Sequence, residues 1–123
     1  MPQPADQQFF ARLAELNEKF AGRLPATLDR LSSLSQQIAP GAGDSTGAAT
    51  AAAARELQAM LHTLAGSAAT FGFRGLGHHA RLLEQRLRVL TTFEQVAPAD
   101  WLIWRGELDE YIAAAQRDPK SLS

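Results

Sequence analysis

The chain has 123 residues, with 46% apolar and 7% aromatic residues and no cysteine. That size suits one domain, 1–123, and the missing cysteines exclude disulfide scaffolds, thiolate zinc sites and cysteine nucleophiles. Lys and Arg number 12 against 13 Asp and Glu, which excludes a nucleic-acid binder held by a broad basic field, while the apolar content excludes a disordered chain. No run approaches the roughly 20 apolar residues of a membrane helix, and Met1-Pro2-Gln3-Pro4 has neither a basic nor an apolar leader region. The sequence therefore predicts a cytoplasmic chain with no membrane and no nucleic acid among its partners.

Apolar residues recur at spacings of three and four throughout, so every element reads as a helix. Phe9, Leu13, Leu16, Phe20, Leu24, Leu31, Leu34 and Ile38 keep one helical phase, within a sector of roughly 80°. Pro25 interrupts this stripe and deletes a backbone hydrogen bond. Helices over about 5–22 and 24–39 are predicted, with a kink or break near Pro25. The Ala39 to Gly47 stretch collects Pro, Gly and short polar residues and reads as a loop.

A helix over about 48–71 follows, with Leu57, Met60, Leu61, Leu64, Ala68 and Phe71 on its apolar face and Gly72 as its stop. Leu76, Ala80, Leu83, Leu87 and Leu90 define the next helix, over about 74–90. A turn spans Thr91 to Ala97, and Pro98 suits the first turn of a helix over about 98–117. Trp101, Trp104, Leu108, Ile112 and Ala115 share a face of that last helix, where the two tryptophans read as packing residues. The polar end, Arg117 to Ser123, reads as the start of a linker. An all-α fold follows: an antiparallel up-and-down four-helix bundle with an N-terminal helical extension.

With no thiols, chemistry falls to His, Ser, Thr or carboxylates, and His62 has the most informative surroundings. On a helical wheel it leaves the apolar stripe and sits with Gln58, Ala65, Gly66 and Ala69. A glycine inside a helix costs about 1 kcal/mol relative to alanine. Gly66 lies opposite the core stripe, where close approach of a partner explains it better than packing by a neighbouring helix.

The run His62-Thr63-Leu64-Ala65-Gly66-Ser67-Ala68-Ala69-Thr70-Phe71-Gly72-Phe73, followed by Leu76 and Leu83-Glu84, resembles the signature of histidine-containing phosphotransfer (HPt) domains of two-component phosphorelay signalling. The resemblance implies a phosphoryl carrier without turnover of its own. His62 would be the phosphoacceptor, exchanging a phosphoryl group with the aspartate of a receiver domain, and Gly66 would give the receiver access. Gln58, Ala65, Gly66 and Ala69 would form the receiver-docking face. Gly72 would end the helix, and Leu64, Phe71, Leu76 and Leu83 would be packing positions. The partners implied are a response-regulator receiver domain and a hybrid histidine kinase, met by a monomer. No cofactor of its own is implied, since the receiver brings the Mg ion. A free imidazole titrates near 6.5 and is nucleophilic near neutral pH without a buried base, which suits that role.

One position departs from the family pattern: Ala65 stands where the family usually has Lys. Arg55, Arg74 and Arg81 are the candidates to support phosphate in its place. Two other readings stay open. An HPt-fold module could bind a receiver or kinase without accepting phosphate. A metal-binding helical bundle could use His78 and His79, although adjacent helical residues diverge by 100° and suit a half-buried packing role for His79 better. Thr63 and Ser67 beside His62 lack a third orienting group for hydrolysis. Arg81, Arg86 and Arg88 are spread around their helix and read as solvated surface.

Overall fold

A computed structural model describes residues 4–38, 44–92 and 98–122. Four helices account for nearly all of them: α1 (Pro4–Gln36), α2 (Asp44–Thr70), α3 (Arg74–Thr92) and α4 (Pro98–Arg117). The 93–97 part of the predicted turn and the 39–43 part of the predicted loop lie outside the described residues, while Thr91 and Thr92, predicted as the start of that turn, are the last residues of α3. Each helix packs on two others, in the ring α1, α2, α3, α4 and back to α1, with no diagonal pairing among the described residues. This is the four-helix bundle the apolar spacing predicts, and the α2 to α3 seam is its most extensive contact.

One core runs down the ring. Leu28, Leu31 and Leu34 of α1, with Ile38 just beyond its end, meet Leu57, Leu61, Leu64 and Ala68 of α2, Leu76, Ala80, Leu83 and Leu87 of α3, and Trp104, Leu108 and Ile112 of α4. Two polar groups tie the helices without leaving the core unsatisfied. The Trp104 indole N–H donates to the Leu83 carbonyl at 3.0 Å and the Tyr111 hydroxyl donates to the Leu76 carbonyl at 2.9 Å. Burial pushes the Tyr111 hydroxyl well above its ordinary titration range.

Three other boundaries also differ from the sequence prediction. A single helix passes through Pro25, so of the predicted kink or break, the break into helices 5–22 and 24–39 is not made. Ala21, whose carbonyl loses its donor, and Pro25 are both exposed. Asp44 to Gly47 belong to α2 rather than to a loop: short polar residues that favour turns also favour the opening of a helix. The end after Arg117 is no simple linker either. It turns back at Asp118, where the Ser121 hydroxyl donates to the Asp118 carbonyl. Leu122 then packs on the core, and the Lys120 ammonium lies 5.4 Å from the centre of the Phe73 ring.

The end of α2 is fixed by its glycine. Gly72 has φ +88°, which side-chain-bearing residues rarely adopt. That conformation lets the Phe73 N–H reach back to the Ala68 carbonyl at 2.8 Å and the Gly72 N–H to the Ala69 carbonyl at 3.5 Å, the paired bonds of a Schellman ending. Phe73 then turns inward and packs on Phe20 of α1, with ring centres 5.2 Å apart. The elbow so made sets the register of α3 against α2, and hence what stands beside His62.

Candidate functional site

His62 lies about two-thirds of the way along α2, between buried Leu61 and Leu64, with 73% of its side chain exposed. Of the residues the wheel groups with it, Gly66 and Ala69 are exposed and Gln58 is half-buried. A Cβ built on Gly66 would meet nothing within 4 Å. No packing inside the molecule therefore requires glycine there, and the surface beside the imidazole is open backbone.

Ala65 is a correction: it is buried, 6% exposed, and is not part of an open docking face. A Cβ on Gly77 of α3 would come within 2.9 Å of the Ala65 carbonyl oxygen and 3.1 Å of the Ala69 nitrogen. The glycine thus lets α3 lie almost against the α2 backbone, and the close approach covers position 65. A single-stripe wheel misses this because α2 packs on two helices and buries a wider arc than one stripe.

Across the seam, Glu84 of α3 is buried, with 7% of its side chain exposed, and its Oε1 stands 3.4 Å from His62 Nδ1. The same oxygen accepts a charge-assisted hydrogen bond from the Arg88 guanidinium one turn further along α3. A buried carboxylate needs a partner to offset its lost hydration, and here the guanidinium provides it. The carboxylate claims the Nδ1 edge of the ring, so with 73% of the side chain exposed Nε2 is the nitrogen left for a partner. At 3.4 Å the His62 to Glu84 contact is at the outer limit of hydrogen-bond reach, and such contacts tighten when a site is engaged.

Arg55, Arg74 and Arg81 are exposed, and none is seen to pair with Glu84 or His62. Arg74 opens α3 just after α2 ends at Thr70, and Thr70 is itself eight residues, or about 12 Å of helix rise, past His62. Arg81, Arg86 and Arg88 are all exposed, as their spread around the helix predicts, but two of them are paired: Arg86 with Glu107 of α4, and Arg88 with Glu84 beside His62. Glu84 and Arg88 are the members that reasoning along the chain did not bring to His62. Their sequence signal is the Leu83-Glu84 pair and an arginine four residues on.

The remaining candidates lie elsewhere. Thr63 and Ser67 line a groove of about 360 Å³ between α1 and α2, together with Phe20, Leu24 and Met60. The His78 and His79 rings meet edge to face with centres 5.7 Å apart. Half-buried His79 faces an α3 to α4 groove shared with Glu107 and Tyr111. Among the described residues no three His, Asp or Glu side chains gather as metal ligands would, and no helix is long and apolar enough to cross a membrane.

A family model described as "Hpt domain" matches residues 7–118. No curated protein and no solved structure matches the chain.

Proposed function

The chain belongs to the Hpt-domain family, whose members carry phosphoryl groups on histidine in two-component signalling, and from that premise we propose that His62 is the phosphoacceptor. The observation that carries this reading is the pairing of an exposed imidazole with a buried carboxylate at its Nδ1 edge, next to bare backbone at Gly66. Glu84 holds the proton on Nδ1, so the lone pair of Nε2 faces the incoming phosphorus. As the Nε2–P bond forms, the bond between phosphorus and the receiver's aspartyl oxygen breaks, and the aspartate leaves as carboxylate. The ring, neutral before, becomes an imidazolium beside Glu84. No proton moves in either direction, and the reverse transfer releases a neutral imidazole rather than an anion. The same group thus serves as acceptor and donor, as a relay requires.

Catalytic power in this scheme comes from positioning and charge neutralisation. The receiver supplies the Mg ion, and this chain supplies the nucleophile and an unobstructed approach over Gly66 and Ala69, with Gln58 at the edge. The carrier works as a cytoplasmic monomer that meets a receiver and a hybrid kinase in turn. Incubation with a phosphorylated receiver tests the reading. Acid-labile label on the wild-type chain and none on His62→Gln is the expected result. Stable binding of the receiver with no label on the wild type would instead establish a docking module, the outcome that Ala65 in place of Lys keeps in view.

A further inference from the structure

We propose that Arg88, reaching from α3 by way of Glu84, supplies the cation that the family pattern places on α2 at position 65. The proposal rests on the reading of His62 as phosphoacceptor. Position 65 cannot do this work here: it is an alanine, and α3 covers it through the close approach at Gly77. The need remains, because a phosphoryl group arriving on Nε2 brings about two negative charges within reach of the buried Glu84 carboxylate.

Arg88 is the cation the geometry provides. Its guanidinium and the His62 Nδ1 share one oxygen of Glu84, at 2.5 Å and 3.4 Å, so the guanidinium lies within about 6 Å of the imidazole, near enough for its charge to act on the ring. Its side chain is 61% exposed and only its tip is engaged, so it is free to turn outward. In the unloaded state Arg88 compensates Glu84. Once the phosphoryl group is on Nε2, the imidazolium proton at Nδ1 compensates Glu84, and the guanidinium is released to bridge to the phosphoryl oxygens, a fork-shaped donor set suited to them. Loading the histidine thus exchanges the partners of one buried carboxylate without leaving it unpaired.

Potassium phosphoramidate tests this without a receiver: the Nε2–P bond forms as the donor P–N bond breaks and ammonia departs. Label uptake on wild type, Arg88→Ala, Arg88→Lys, Arg81→Ala and Arg55→Ala is followed together with thermal melting. Arg88→Ala is expected to take up label roughly tenfold more slowly. Arg88→Lys recovers part of that loss, Arg81→Ala and Arg55→Ala stay near wild type, and added salt narrows the difference between wild type and Arg88→Ala. A slowed Arg88→Ala that melts with the wild type, and whose loss salt narrows, separates a charge at the site from a weakened fold. Normal uptake by Arg88→Ala, or a loss on Arg81→Ala in its place, overturns the proposal. A wild-type chain that takes up no label on His62 from either phosphoramidate or a phosphorylated receiver overturns the phosphoacceptor reading itself.

Discussion

Two glycines on facing helices carry opposite meanings, and a single added methyl group tells them apart. Gly66 sits mid-helix in open space, where a Cβ would touch nothing, so Gly66→Ala should stabilise the bundle by up to about 1 kcal/mol. The same methyl group stands where a receiver would approach Nε2, so the more stable variant should exchange phosphoryl groups with a receiver more slowly. Gly77 is buried, and its Cβ would press on the α2 backbone at 2.9 Å. Because helix backbone cannot yield as a flexible side chain does, Gly77→Ala should cost about 1–3 kcal/mol despite alanine's better helix propensity. Urea unfolding of the two variants checks both signs. The sequence points to Gly66 through the company it keeps with His62. It says nothing of Gly77, whose meaning depends on which α2 residues α3 crosses.

At the level of the helix, Pro25 is the outlier. Proline inside a helix removes a hydrogen bond and costs about 3 kcal/mol relative to alanine, part of which it returns by restricting the unfolded chain. Since Pro25 is exposed within an unbroken α1, Pro25→Ala should raise stability by about 1–2 kcal/mol in equilibrium denaturation. A drop would mean that the constraint Pro25 places on the unfolded chain outweighs the hydrogen bond it removes. The pairing of α1 with α2 offers a pH test. Arg30 makes two hydrogen bonds to Glu56, at 2.6 and 2.8 Å, and these hold the Glu56 carboxyl below its ordinary value of 4.5. A carboxyl lowered on folding stabilises the fold above its unfolded pKa and loses that contribution as pH falls through the folded value. Melting temperatures of wild type and Glu56→Gln should therefore differ at neutral pH and converge as pH drops below about 4.5. Spacing made the helices legible, because the apolar period survives in each stripe from Leu24 to Ile112. It left the path of α1 open, since a sequence penalises Pro25 without knowing that its face meets water. It also hid the Glu84 and Arg88 part of the site, because facing residues on two helices follow from the elbow at Gly72 and Phe73 and not from spacing along either one.

For the molecule as a whole, the family match ends at residue 118 while the folded chain continues. Residues 118–122 turn back over the elbow between α2 and α3, setting Leu122 against the core and Lys120 over Phe73. Half-burial of a leucine is worth about 1 kcal/mol and an exposed cation–π contact about 0.5–1 kcal/mol. Ending the chain at Asp118 should therefore lower stability by about 1–2 kcal/mol. The strap braces the elbow, and the elbow sets the register that brings Glu84 to His62, but the Schellman bonds and the Phe20 contact that form the elbow lie within the shortened chain. Label uptake at His62 should then persist at near the wild-type rate at temperatures well below melting, measured with phosphoramidate alongside urea unfolding. Loss of uptake in a chain that is still folded would show that the strap, and not the elbow alone, holds α3 in register with α2.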